Sequence, residues 1–170
     1  MPDLCEQLRH CLQGRVCLMG LGNVEYGDDG FGVRLAEKLL CAGTPDVIVA
    51  GTVPESCLGH VVERGFDHVV FLDAVEFGAA PGSVVFMDAE EIDARFPQIS
   101  THKISVSVLA RCIQASGTTR VWLLGVQPES LRPMQQLTPA VQATLDVVAD
   151  VLRDLAGQQG VIHPLAGANV

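Results

Sequence analysis

The chain has 170 residues, with 11 Lys and Arg against 20 Asp and Glu, a formal net charge of −9. Hydrophobic residues make up 48% and charged residues 18%, enough to bury a core, so disorder throughout is excluded. The acid excess repels phosphate backbones and anionic lipid, so neither nucleic acid nor a membrane surface is an expected partner.

No apolar run approaches the roughly 18 residues that a membrane span requires. The opening MPDLCEQLRH lacks the basic start and apolar stretch of a secretory signal, so the expected location is cytoplasmic. The length predicts one domain over 1–170, with its core at about 15–155, a frayed tail over 157–170 and a monomeric state. The six cysteines, Cys5, Cys11, Cys17, Cys41, Cys57 and Cys112, form no Cys-x-x-Cys pair, so structural zinc and thioredoxin chemistry lack their signature. Reduced, mostly buried thiols are expected.

In chain order, residues 16–20 predict a first strand. Residues 31–40 predict a helix, with Phe31, Leu35 and Leu39 at i, i+4 and i+8 and with Val33, Ala36 and Leu40 widening the stripe. A second strand follows at 47–51, a shorter helix at 55–64 and a third strand at 69–73. The fourth strand is expected at 84–87. A helix over 102–115 carries Ile104, Val108, Ala110, Cys112 and Ile113, and the fifth strand covers 121–126. The last helix has Thr138 as its cap and Pro139 in first position, with Val141, Leu145, Val148 and Leu152 repeating at three to four. The strands are nearly continuous apolar runs, as in strands buried on both faces. This alternation predicts a three-layer α/β fold: a twisted, mostly parallel five-stranded sheet with helices on both faces. Only residues 74–83 join the third and fourth strands. They are too few for a parallel crossover, so the fourth strand is expected to be the one antiparallel strand.

Ligands in such sheets bind beyond the carboxyl ends of the strands. Three features can meet there: the loop 20–30 with Asp28 and Asp29, Asp73 at the end of the third strand, and His102 after Ser100 and Thr101. The first two share a crevice if strand one lies between strands two and three. His102 joins them if residues 89–101 climb back to that edge. The loop does not fit phosphate: Glu25 stands where a dinucleotide fingerprint needs its third glycine, and Gly-Lys-Ser/Thr is absent. Two carboxylates and an imidazole suit a borderline divalent cation better than calcium or magnesium. Each residue also has an ordinary reading. Asp28 or Asp29 can cap the following helix, Asp73 can bond nearby backbone, and His102 can simply begin a helix. His10, His60, His68 and His163 have no ligand cluster at hand, and neither a G-x-S-x-G elbow nor an H-E-x-x-H helix occurs. Cys57 lies close to Ser56 and His60 and is expected to pack in the core.

Four stretches in register resemble the maturation endopeptidases of [NiFe] hydrogenases. They are Met19-Gly-Leu-Gly-Asn23 with Gly27-Asp-Asp-Gly-Phe-Gly-Val-Arg34; Phe71-Leu-Asp-Ala-Val75 with Gly78 and Pro81-Gly82; Ser100-Thr-His102; and Gly125-Val-Gln-Pro128. The resemblance implies a hydrolase that removes a C-terminal extension from the hydrogenase large-subunit precursor after nickel insertion. It also implies that the metal-contacting and catalytic positions fall on Asp29, Asp73 and His102. Many relatives have Glu where this chain has Asp29. Nickel is then expected as a substrate-borne metal, recognised in the precursor, and other divalent ions fit the same donors. No residue announces itself as a covalent nucleophile, so an aspartyl-type or metal-dependent endopeptidase is implied. Two other readings stand beside it. One is a metal-sensing chaperone that binds the precursor without cutting it. The other is a flavodoxin-like small-molecule or nucleotide binder, whose binding would survive loss of the Asp29 and Asp73 charges.

Overall fold

The computed structural model describes residues 3–95 and 105–159. Its strands are β1 (Val16–Leu21), β2 (Val47–Gly51), β3 (His68–Ala74), β4 (Val84–Asp88) and β5 (Arg120–Val126). Its α-helices are α1 (Leu4–Cys11), α2 (Phe31–Cys41), α3 (Leu58–Arg64), α4 (Ala89–Arg95), α5 (Val106–Ala115) and α6 (Pro139–Gln159). The strand order is β2-β1-β3-β5-β4. β1 pairs in parallel with β2 and β3, and β3 pairs in parallel with β5. β4 runs antiparallel, as its short connection predicts, but it pairs with β5 rather than with β3. The connection crosses the end of β5. The Val75 N–H donates to the Val126 carbonyl at 2.9 Å and the Gln127 N–H to the Ser83 carbonyl at 2.8 Å.

Side chains alternate across the sheet and sort the core in two. Leu18, Val70, Leu72, Leu124 and Val126 face α1, α2 and α6. Cys17, Met19, Val69, Phe71 and Leu123 face α3, α4 and α5. This is the expected three-layer arrangement. The stripe of α6 is buried as predicted, at Val141, Leu145, Val148 and Leu152. In α2 the expected stripe holds except for Leu40, which lies in solvent. α5 departs further. Val106, Leu109, Ala110 and Ile113 are buried at i, i+3, i+4 and i+7, whereas Val108 and Cys112 point outward. The apolar positions of this segment permit two phases, and packing on the sheet selects one.

Two helices were not predicted. α1 buries Leu8, and Leu12 follows it into the core, so the core begins before residue 15. α4 begins with a reciprocal capping box: Asp88 Oδ1 accepts the Glu91 N–H at 2.9 Å, and Glu91 Oε2 accepts the Asp88 N–H at 3.1 Å. α6 also runs to Gln159 and takes in three residues, 157–159, of the expected tail. The six thiols are free, but only Cys17 is buried, and Cys41 and Cys112 are exposed. Burial pushes the Cys17 thiol up to about 12. Among the described residues, no helix is long and apolar enough to cross a membrane.

Candidate active site at the carboxyl end of the sheet

Because β1 lies between β2 and β3, the loop after β1 and the end of β3 are neighbours. The loop enters a single 3-10 turn, Gly27–Gly30, and passes directly into α2. Two glycines allow that turn to settle on the strand ends. Gly22 has φ +117°, and a Cβ there would lie 1.8 Å from the Asp29 carbonyl oxygen. A Cβ on Gly32 would lie 1.9 Å from the Leu72 carbonyl oxygen and 2.5 Å from that of Leu21. The first turn of α2 therefore rests on the residue before Asp73. This close approach draws the Asp29 turn onto the end of β3.

The three carboxylates at this end are buried: Asp28 is 0%, Asp29 6% and Asp73 3% exposed. They are not equivalent. Asp28 accepts the Glu129 N–H at 2.8 Å, the Ser130 N–H at 3.0 Å and the Thr138 N–H at 2.7 Å. The Thr138 hydroxyl adds a bond of 2.9 Å to Oδ2. Asp28 thus ties the 3-10 turn to the loop after β5 and sits at the N-terminus of α6, where a negative charge is favourable. The expected cap of α2 is absent: Gly30 occupies that position without a side-chain bond. Thr138 stands where the sequence placed it, but its hydroxyl serves Asp28 while its carbonyl accepts the Gln142 N–H at 2.9 Å.

Asp29 turns the other way. Its Oδ2 accepts the Asn23 N–H at 2.9 Å. Asp73 Oδ1 accepts the N–H of its neighbour Ala74 at 2.9 Å. These backbone donors orient both carboxylates at the strand ends. His102, the third expected member, lies outside the described residues. The chain re-enters at Ser105, whose hydroxyl caps α5 through the Val108 N–H. Among the described residues, no three His, Cys, Asp or Glu side chains are grouped to hold a metal. The described part of the site is the pair Asp29 and Asp73.

One supporting residue was not anticipated. Gln127 is buried, its Oε1 accepts the Phe77 N–H at 2.8 Å and the Ala79 N–H at 3.3 Å, and its backbone pairs with Ser83 and Gly82. It pins the loop that follows Asp73. The Gly125-Val-Gln-Pro128 stretch carried the signal, without indicating what the amide would hold. His68, set aside for want of a ligand cluster, is buried at the far end of the sheet, where its Nδ1 accepts the Trp122 Nε1–H at 3.0 Å.

The family model described as HycI, hydrogenase maturation protease, matches residues 33–154. That span includes Asp73 and His102 and begins after Asp29. The chain is 30% identical over 155 residues to the hydrogenase 2 maturation protease of Escherichia coli K12, covering 86% of this chain and 93% of that protein. The chain belongs to the hydrogenase maturation protease family. It is likewise 30% identical over 147 residues to the Escherichia coli K12 hydrogenase 3 maturation protease, covering 84% of this chain and 90% of that protein. Among solved structures, the [NiFe] hydrogenase maturation protease HycI from Thermococcus kodakarensis KOD1 superposes with a TM-score of 0.79 at 29% identity. The match covers 89% of this chain and 99% of that one. The fold and the endopeptidase class follow from this membership, and with them a role in hydrogenase maturation.

Proposed function

We propose that this maturation protease removes the C-terminal extension of a hydrogenase large-subunit precursor after nickel has been inserted. The observation that carries the reading is the placement of Asp29 and Asp73, two buried carboxylates on adjacent elements at the carboxyl end of the sheet. Asp28, their neighbour, is fully engaged in holding the loop after β5. In the proposed reaction, nickel belongs to the substrate. Asp29, Asp73 and His102 contact it and set the scissile peptide beside it. An open shell of oxygen and nitrogen donors competes weakly with thiolates, so it reads the metal without stripping it. In this reading a carboxylate of the site serves as general base for water, with no covalent enzyme intermediate. The enzyme works in this reading as a cytoplasmic monomer.

Nickel-loaded and nickel-free precursors, each incubated with the purified protein, provide the test. Intact mass should fall by the C-terminal extension in the loaded sample only. An unchanged mass in both samples rejects the reading and favours a chaperone that binds without cutting.

A further inference from the structure

Two large apolar side chains stand in solvent at the rim of the site. Tyr26 is 45% exposed and Met134 39%. They come from loops far apart in sequence and are joined through backbone by an isolated β-bridge. The Met134 N–H donates to the Glu25 carbonyl at 2.9 Å, and the Gly27 N–H donates to the Met134 carbonyl at 2.7 Å. The Tyr26 carbonyl accepts the Asp29 N–H at 3.2 Å, so this ridge and the Asp29 carboxylate belong to one turn. A backbone-pinned tyrosine beside a methionine offers apolar area at small ordering cost, which is the character of an interface anchor. The charges around it are mainly negative. Glu25 and Glu129 are exposed on the same two loops and Asp28 and Asp29 lie buried behind, against two described cations, Arg132 on the second loop and Arg34, whose guanidinium donates to the Gln135 carbonyl.

We propose that the Tyr26–Met134 ridge is a docking surface for the substrate, seating an apolar side chain on a segment of net positive charge close to the scissile bond. The inference rests on the proteolytic reading and adds to it how the substrate chain is held. Tyr26 and Met134 are positioning residues: they fix the approach of the peptide and touch no reacting atom.

Tyr26 is the only tyrosine in the chain, so 3-fluorotyrosine incorporation labels this position alone. Titration of the labelled protein with nickel-loaded large-subunit precursor should shift or broaden the single fluorine resonance saturably. Tyr26→Ala and Met134→Ala should each raise KM for the precursor about tenfold with kcat kept within about twofold, a loss of uniform binding. Tyr26→Phe should stay near the parent, and added salt should raise KM in all of them. Circular dichroism melts confirm that each variant folds. An unmoved resonance at saturating precursor, or an unchanged KM in both alanine variants, overturns the docking surface. A resonance that shifts while the precursor is never shortened upholds the ridge and rejects proteolysis, so the two failures are distinct.

Discussion

At the amino end of the parallel strands, Arg64 pairs with Asp46 at 2.5 Å, and Asp67 accepts the Arg15 N–H at 2.7 Å. The Arg15 guanidinium donates to the Arg64 carbonyl at 2.9 Å, and both guanidinium groups lie over the Phe66 ring, at 4.9 and 5.4 Å. Of these groups, Arg15, Asp46 and Asp67 border a cavity of about 620 Å³ walled by Leu12, Leu18, Leu152 and Leu155. At the carboxyl end, Asp28 is held by amides and a hydroxyl, and Asp29 and Asp73 are oriented by the N–H groups of Asn23 and Ala74. The contrast separates two ways of stabilising a carboxylate. At the amino end a guanidinium partner neutralises Asp46, whereas Asp67 is held by a backbone N–H, as the acids of the other end are. Backbone amides fix a carboxylate's direction, which is what a site for a cationic guest needs.

That contrast can be broken or sharpened by substitution, and the largest effect should come from the close approach that builds the carboxyl end. Gly32→Ala puts a methyl group 1.9 Å from the Leu72 carbonyl oxygen, on backbone that cannot give way. The cost should exceed the roughly 1–3 kcal/mol of ordinary overpacking, and urea denaturation should show a loss of the cooperative transition. Asp28→Ala strands the amides of Glu129, Ser130 and Thr138 and should cost about 3 kcal/mol by the same measurement. Asp29→Asn should reverse that pattern. Stability should stay within about 1 kcal/mol of the parent, while precursor cleavage, followed by mass, falls about a hundredfold or more. A stable Asp28→Ala together with an unstable Asp29→Asn would interchange the roles assigned to the two neighbours.

The amino end should respond to pH and hardly to mutation. Burial holds His68 below its ordinary value of 6.5. Between that value and the folded pKa, the unfolded chain binds the additional proton. The stability contributed by neutral His68 is therefore complete above pH 6.5 and is lost as pH falls through the folded pKa. Urea midpoints should decline on the acid side of 6.5, and His68→Gln, which keeps an acceptor for Trp122, should flatten that decline. The smallest effect is expected of Arg64→Ala. It breaks an ion pair whose Arg64 side chain is 45% exposed, so about 0.5 kcal/mol should be lost, with precursor cleavage unchanged.

Much of the fold is legible in the residues. Continuous Val-rich runs mark the buried strands, and the short 74–83 connection forces one strand to run backwards. What escaped has local causes. α1 and α4 are short helices, yet each carried a local signal: Leu4, Leu8, Cys11 and Leu12 stand at helical spacing in and just after α1, and Asp88 and Glu91 spelled the capping box that starts α4. The 102–115 segment offered apolar residues on more than one face, so its phase could not be read without the sheet beneath it. The placement of Asp29 and Asp73 at one end of the sheet was legible because a carboxylate at the end of a buried strand or in a glycine-rich loop needs a reason to be there. Gln127 was not, because its partners at Phe77 and Ala79 lie in a distant loop.

The sequence by itself determined the layer architecture, and it named two acids, Asp29 and Asp73, that the neighbouring first and third strands bring to one end of the sheet. Periodicity and connection length are local properties, and each has few physical solutions. The resemblance already pointed to Asp29; the tertiary structure supplied the different donors that set it apart from Asp28. The two are identical and adjacent, and both are buried. The loop 128–138 folds back over the 3-10 turn and claims one of them, while the Asn23 N–H orients the other. The excess of acid therefore includes two neighbouring buried carboxylates held differently, Asp28 by the loop after β5 and Asp29 by the Asn23 N–H. That difference depends on donors brought to Asp28 from about a hundred residues away, beyond the reach of any local pattern.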